Sequence, residues 1–377
     1  MVENKVAIKD IAKLFLKLGI IGFGGPAAHI SMMQDEVVTK RKWLTEQHFL
    51  DLIGATNLIP GPNSTEMAIH IGHEKGGWKG LIVAGLCFIL PAILITGIFA
   101  WLYKQYGQLP EVHPFVYGIK PAIIAIILGA IFPLAKKSLK STELVIIGLI
   151  VLIGALLNIN EIYLMFGAGF FALFLAYIRN NKQNNINSFL PLALLQITNT
   201  TILSATNAKL FWIFLKIGSI LYGSGYVLFA FLDTELVSTG LLTRQQLIDA
   251  IAVGQFTPGP VFSSVTFIGY QINGLTGAII STIAIFLPSF VFVALLNPIV
   301  KKMRSSKLFP AFLDAVNVAS VAIIVAICFA MGKETITDWR TILIAVLSIA
   351  IAFGYKKLNS AFVVLGGSLI GYILLLI

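Results

Sequence analysis

Apolar runs recur along this chain with only short polar stretches between them. They lie near 11 to 33, 50 to 71, 80 to 102, 114 to 135, 143 to 158 and 161 to 178. A second set lies near 211 to 232, 246 to 270, 275 to 298, 309 to 331, 339 to 355 and 360 to 377. Runs of this length predict helices able to cross about 30 Å of hydrocarbon, and no period-2 barrel pattern is present. Between the two sets, Arg179 to Lys209 is polar and rich in Asn, although Phe189 to Leu203 is apolar enough to dip into the membrane interface. The expected organisation is a first membrane repeat (1–180), a linker (181–209) and a second membrane repeat (210–377), with no sizeable soluble domain.

The two sets are copies of one unit. Phe15, Leu16, Lys17, Gly19, Gly24 and Glu36 fall on Phe214, Leu215, Lys216, Gly218, Gly223 and Glu235. After a one-residue gap, Leu44, Thr45, Gln47, Asp51 and Pro60-Gly61-Pro62 match Leu242, Thr243, Gln245, Asp249 and Pro258-Gly259-Pro260. A second gap aligns Gly72, Gly77, Gly80 and Leu90-Pro91 with Gly269, Gly274, Gly277 and Leu287-Pro288. Duplicated membrane units are a common construction for secondary transporters.

Pro-Gly-Pro sits in the middle of the runs at 50 to 71 and 246 to 270, where the prolines remove helix hydrogen bonds and clash with a continuous helix. Both runs are therefore predicted to be broken or re-entrant, with the freed backbone satisfied by protein or by a water-filled cavity. Loop charge supports this. With both segments re-entrant, Lys40-Arg41-Lys42, Lys136-Lys137 with Lys140, Arg179 with Lys182, Lys301-Lys302 with Arg304 and Lys307, and Lys356-Lys357 share one side, which the positive-inside rule makes cytoplasmic. Five spans remain in each half, and an odd number inverts the second repeat. The predicted fold is thus an all-α polytopic membrane protein of two homologous halves, an inverted repeat of about 10 transmembrane helices plus two re-entrant Pro-Gly-Pro segments. Lys5, Lys9 and Lys13 run against it, because it places the amino-terminal end outside.

Composition fixes the solvent. The chain is 57% hydrophobic and 12% charged, with a mean hydropathy of +0.90, far from the roughly 25% charge of soluble proteins. The net charge of +10 would point to nucleic acid in a soluble protein, but here it clusters in short loops and reads as orientation and lipid-headgroup contact. Glu3, Lys5, Lys9 and Asp10 precede the first run, which is read as a span and not as a cleaved signal. Cys87 and Cys328 stand alone, giving neither a disulfide framework nor a metal site; no cofactor is expected.

Candidate chemistry gathers at the breaks. The first reads Asn57-Leu58-Ile59-Pro60-Gly61-Pro62-Asn63-Ser64-Thr65-Glu66, and the second Gln255-Phe256-Thr257-Pro258-Gly259-Pro260-Val261-Phe262-Ser263-Ser264. A helix restarting after a break offers unpaired N–H groups and a positive dipole end, to which hydroxyls add donors, so each break is a candidate anion site. The alternative is a tight turn whose hydroxyls cap the next helix. Lys17, Lys120 and Lys216 lie well inside apolar runs, where a charge costs about 2.5–3.5 kcal/mol and calls for a partner; snorkelling is the alternative. Lys120 falls on the uncharged Asn317. Among acids, Glu36 and Glu235 follow the first run of each half, Asp314 lies in the second half, and Glu66 lies inside a re-entrant segment where it is a candidate proton carrier. Its counterpart Ser264 cannot titrate. His29 and His70 are further titratable candidates or ordinary packing residues. Gly22-Phe23-Gly24-Gly25-Pro26 and Tyr222-Gly223-Ser224-Gly225 lie near the ends of the first runs and serve close packing or site lining.

The run Phe-Leu-Lys-Leu-Gly-x-x-Gly-Phe-Gly-Gly-Pro at 15 to 26, with Pro-Gly-Pro at 60 to 62 and both repeated in the second half, resembles the chromate ion transporter family in its two-domain form. The resemblance covers nearly the whole chain. It implies a carrier of chromate, usually outward across the cytoplasmic membrane, with sulfate as a related oxyanion. The motif positions it carries over are Gly24, Gly25 and Pro26, Pro60, Gly61 and Pro62, and Pro258, Gly259 and Pro260. In the second half Tyr222-Gly223-Ser224-Gly225 departs from Phe-Gly-Gly-Pro.

The leading expectation is an oxyanion carrier in which the two broken segments meet near the midplane, with Lys120 and the hydroxyls as ligands and Glu66, Glu36 or His29 as proton-coupling groups. Its partners are the oxyanion, the lipid bilayer and, as an open option, a second copy in a homodimer, with no nucleic acid. A membrane-embedded enzyme would need an oriented nucleophile, for which Ser64 with His70 is the best pair. A non-transporting scaffold is the third reading.

Overall fold

Each element of the first half has a counterpart, in order, in the second. The computed structural model describes residues 6–23, 25–107, 109, 111–180, 205–223, 225–305, 308–355 and 359–376, with the side chains of 180, 205 and 296–305 outside that description. The first half runs α1 (Ile8–Ile21), α2 (Gly25–Gln34) continuing into a π turn at Asp35–Lys40, α3 (Glu46–Thr56), α4 (Asn63–Tyr106), α5 (His113–Ser138), α6 (Thr142–Leu156) and α7 (Glu161–Asn180). The second runs α8 (Ala205–Ile220), α9 (Val227–Leu232) with a π turn at Asp233–Val237, α10 (Arg244–Phe256), α11 (Ser264–Ser305), α12 (Phe309–Thr335), α13 (Trp339–Gly354) and α14 (Ser360–Leu376). Even the caps repeat: Thr45 and Thr243 accept from the backbone N–H three residues on to start α3 and α10, and Ser141 and Asp338 do the same for α6 and α13.

The Pro-Gly-Pro segments fold back as the sequence predicts. Asn63 Nδ2 donates to Asn57 Oδ1 at 2.9 Å across the first break, while His48 at the start of α3 lies 3.4 Å from Glu74. The limb 63–76 therefore returns beside α3 to the face where α3 began. At Gly77 (φ 59, ψ −148) the chain reverses again, and residues 78–106 form the long traversing limb of α4. Gly274 (φ 60, ψ −151) does the same in α11, and Gly72 against Gly80, like Gly269 against Gly277, lets the two limbs touch backbone to backbone. This conformation is essentially confined to glycine.

The run at 11 to 33, expected as the first span, is instead a second re-entrant hairpin. Lys17 Nζ reaches Glu36 Oε1 at 2.8 Å and His29 Nε2 lies 2.8 Å from Gly22 O, so α2 and its π turn come back alongside α1. The glycines read as lying near the end of a span are the apex of this hairpin, with Gly25 at φ 80; Gly24 lies outside the described residues, as does Ser224. Val6 N donates to Lys75 O at 2.9 Å, which places the start of α1 on the same face as the loop after α2. That removes the conflict over the amino-terminal charge: Lys9 and Lys13 join Lys40, Arg41 and Lys42 on one basic face, and Lys5 lies outside the described residues. Lys140 and Arg179, bonded to Asp314 and Glu143, lie on that face too. Among the other loop charges invoked, the side chains of Lys182, Lys301, Lys302, Arg304, Lys307, Lys356 and Lys357 lie outside the described residues.

The repeats are inverted. Gln271 Nε2 donates to Ala100 O at 2.9 Å and Lys104 sits over the Tyr270 ring, while Phe290 packs against Gly85. The turn at Gly274 thus lies at the opposite face from the turn at Gly77, and the long limbs of α4 and α11 run antiparallel. In each half the limbs that follow, residues 78–106 with α5 to α7 and the second limb of α11 with α12 to α14, run back and forth between the two faces. The end of α7 and the start of α8 consequently lie at opposite faces; residues 181–204, between them, lie outside the described residues, and α8 begins at Ala205.

Packing exchanges elements between halves. α1 lies on α4 and α8 on α11, and α4 crosses α11 at the centre. The helices that follow swap partners: α6 and α7 pack on α12, whereas α13 and α14 pack on α5. Outward-facing stripes match too, with Ile82, Leu86, Leu90, Leu94 and Ile98 of α4 and Ile279, Ile283, Leu287, Val291 and Leu295 of α11 all exposed at four-residue spacing. An apolar surface of this kind is stable only against lipid. Five of the described helices are long and apolar enough to cross a membrane, and α6, α13 and α14 are shorter apolar helices; the protein is a multi-pass membrane protein.

Candidate functional site

The helix breaks form two matched pairs, each joining a Pro-Gly-Pro turn of one half to the first-hairpin apex of the other. Within Pro-Gly-Pro only the glycine retains an N–H, and in both copies it is donated across the repeat boundary: Gly61 N to Leu221 O at 2.8 Å and Gly259 N to Gly22 O at 2.7 Å. Each Pro-Gly-Pro turn is therefore tied to the apex of the other half's first hairpin. Gly61 and Gly259 hold φ of 135 and 94. A Cβ on Gly61 would strike the Glu66 carboxylate and Ser289 Oγ, and one on Gly259 would meet Ala92 Cβ at 2.8 Å.

Both returning helices start beside buried hydroxyls. In the first half Ser64, Thr65 and Glu66 are buried, Thr65 Oγ1 and Glu66 Oε2 have no hydrogen-bond partner among the described residues, and Glu66 Oε1 accepts from Ser289 Oγ at 3.4 Å. In the second, Ser263 Oγ accepts from Thr96 Oγ1 at 3.3 Å, Ser264 Oγ has no partner among the described residues, and Thr257 Oγ1 is spent on Val253 O at 2.6 Å. Gln255 Oε1 accepts from Tyr226 at 3.4 Å, and its Nε2 has no partner among the described residues. His29 is held at the apex by Gly22 O, its ring edge-on to Phe88. Buried polar groups without partners are costly and rare, and here they include the Glu66 carboxylate as well as hydroxyls.

Other candidates lie elsewhere. Lys17 and Lys216 pair with Glu36 at 2.8 Å and Glu235 at 2.6 Å, clamping the two limbs of the first hairpins. Glu36 also faces Lys40 and Arg41, and the Lys17 ammonium foremost, then Lys40, holds its carboxyl below the ordinary value against the opposing effect of burial. Asp314 is engaged with Lys140 at 2.7 Å. Lys120 on α5 senses the carboxylate of Asp249, which accepts from Tyr103 OH at 2.6 Å and Gln245 Nε2 at 3.3 Å. Asp249 is 5% exposed and was not singled out from the sequence; the available signal was its match to Asp51 and its place nine residues before Pro258. Ser64 and His70 do not bond to one another, since both ring nitrogens of His70 lack partners among the described residues. A cavity of about 400 Å³ opens between α6, α7 and the start of α12, but its rim charges are already paired as Arg179 with Glu143 and Lys140 with Asp314.

Comparison with known proteins supports the same two-fold organisation. The chromate transporter family model matches residues 9–173 and 208–372, one match in each half. A chromate transport protein of Cupriavidus metallidurans is 31% identical over 97% of this chain and 93% of its own length. A probable chromate transport protein of Synechococcus elongatus is 29% identical over 99% and 97%, and an uncharacterized transporter of Methanocaldococcus jannaschii is 28% identical over 99% and 96%. No solved structure matches. With both halves matched and nearly the whole length of each relative covered, the chain belongs to the chromate transporter family.

Proposed function

We propose that this protein carries chromate outward across the cytoplasmic membrane, with sulfate as a competing oxyanion, and that the dianion is held at the Pro-Gly-Pro helix breaks. The observation that carries the reading is the reciprocal pair of bonds from Gly61 to Leu221 and from Gly259 to Gly22, which ties each of two matched helix starts, with its buried hydroxyls, to the other half. Helix N-termini and hydroxyl donors suit a tetrahedral dianion, and inverted halves supply two arrangements of equal construction that expose such a site alternately. The basic face is cytoplasmic by the positive-inside rule. For a dianion leaving a negative interior the membrane potential contributes about 2 × 2.3 kcal/mol per 100 mV, so export needs no nucleotide. Lys120, coupled to Asp249 of α10, attracts the anion without having to contact it.

Radiolabelled chromate flux into proteoliposomes, with sulfate competition and imposed voltage and pH gradients, tests this. Saturable, sulfate-inhibited, voltage-dependent flux is expected, and folded protein that gives no flux above empty vesicles would sink the reading. Glu66, buried at the first break, is proposed as the proton-coupling group. Glu66→Gln is expected to flatten the pH dependence of transport, whereas an unchanged profile removes that role.

A further inference from the structure

The returning limb 63–76 of α4 carries Glu66, His70 and Glu74 at four-residue intervals. That spacing sets them one above another on a single stripe, with Cβ atoms about 5–6 Å apart. Glu66 and His70 are 0% and 1% exposed, and Glu66 Oε2 and both ring nitrogens of His70 have no partner among the described residues. Glu74, at the end of the stripe, lies 3.4 Å from His48 Nε2 of α3 on the basic face. In the second half the corresponding stretch holds Ser264, Phe267, Ile268 and Gln271, none of which titrates near neutrality, and the amide of Gln271 is spent on Ala100 O. Fold symmetry therefore does not require the ladder, and a buried imidazole with two idle nitrogens is costly unless it is used.

We propose that His70 relays protons between the Glu74–His48 pair on the basic face and Glu66 at the helix breaks, a path open to one side only. It rests on the reading of Glu66 as the coupling group of an oxyanion carrier. A proton taken up at one ring nitrogen, directly or through one water, is balanced by a proton released from the other nitrogen to Glu66 Oε2, so the ring ends as it began with its tautomer exchanged. The groups facing the stripe are consistent with this. His73 on the same limb acts electrostatically on His70, His48 of α3 meets Glu74, and Tyr222 beyond α8 senses the charge of Glu66. The Ser289 hydroxyl of α11 donates to Glu66, while Ile11, Leu14, Phe15 and Leu18 of α1 share an apolar cluster with Met67, Ala68 and Ile71 of the limb. None of these is a fixed cation that would neutralise Glu66 permanently.

The test uses full-length protein in vesicles loaded with a pH-sensitive dye, driven by a sulfate or chromate gradient, with isotopic exchange at equal pH as the control. His70→Ala is expected to slow oxyanion-coupled proton movement by about tenfold or more while exchange persists, and added imidazole is expected to restore the lost proton movement. His70→Phe, which fills the space, is expected to show the same loss without rescue. Proton movement at the wild-type rate in His70→Ala, or a loss that imidazole leaves untouched in protein that unfolds normally, would overturn the relay. Wild-type vesicles that carry oxyanion without moving protons would overturn it as well, leaving the carrier reading intact, while wild-type vesicles that carry no oxyanion would remove the carrier reading beneath it.

Discussion

At the scale of single residues, the charges that the sequence places inside apolar runs divide by what they touch. Glu36 is 6% exposed and faces Lys17, Lys40 and Arg41, so its ionised form is stabilised by the fold. Because its folded-state pKa lies below the unfolded one, this contribution is fully present above the ordinary carboxylate value of about 4.3 and is lost as pH falls through the folded value. Thermal unfolding in detergent should accordingly show a loss of stability at acid pH, and Glu36→Gln should reduce that dependence. Lys17 is half exposed, so Lys17→Met is expected to cost under about 1 kcal/mol, with two cations still facing Glu36. A large loss from Lys17→Met with none from Glu36→Gln would contradict the clamp. Sequence alone marked the pairing partners, since Lys17 with Glu36 recurs as Lys216 with Glu235. It could not say that they face each other, because 19 residues separate them and only a fold-back at Gly22–Gly25 closes that distance.

The element scale turns on breaks and reversals. Gly77 and Gly274 hold a conformation that other residues rarely reach, and a Cβ at either would meet open space. Their substitution by Ala is expected to cost about 1–3 kcal/mol from backbone strain alone, read as a lowered unfolding temperature with transport retained in the folded fraction. Gly61→Ala adds collision with Glu66 and Ser289 to an unfavourable φ and should reduce transport per folded molecule, which the Gly77 variant should not. Equal effects at the two positions would argue against a special role for the break. The Pro-Gly-Pro hairpins were legible because proline forbids a continuous helix. The Gly-Gly-Pro hairpin was not, because glycine in an apolar run is tolerated within membrane helices and its break depends on what packs around it.

For the whole molecule, the inverted arrangement makes a labelling pattern the decisive observation. With Cys87 and Cys328 replaced, single cysteines at Lys9, Lys42 and Lys136 should react with an impermeant reagent from one side of the membrane, and those at Lys209, Glu111 and Lys333 from the other. Labelling of Lys9 and Lys42 from opposite sides would restore a spanning first segment and refute the double hairpin. The sequence by itself determined the solvent, the duplication, the Pro-Gly-Pro breaks and the gathering of basic residues in short loops. Each of these follows from local quantities: apolar run length, residue identity at matched spacing, the missing proline N–H and the count of Lys and Arg. Only the tertiary structure decided which half satisfies which break, that α6 and α7 lie on α12 while α13 and α14 lie on α5, and that Asp249 meets Tyr103. Those contacts join residues far apart in the chain, and they are fixed by the burial of unpaired backbone and polar groups in a medium without water, a condition that no local window of sequence contains.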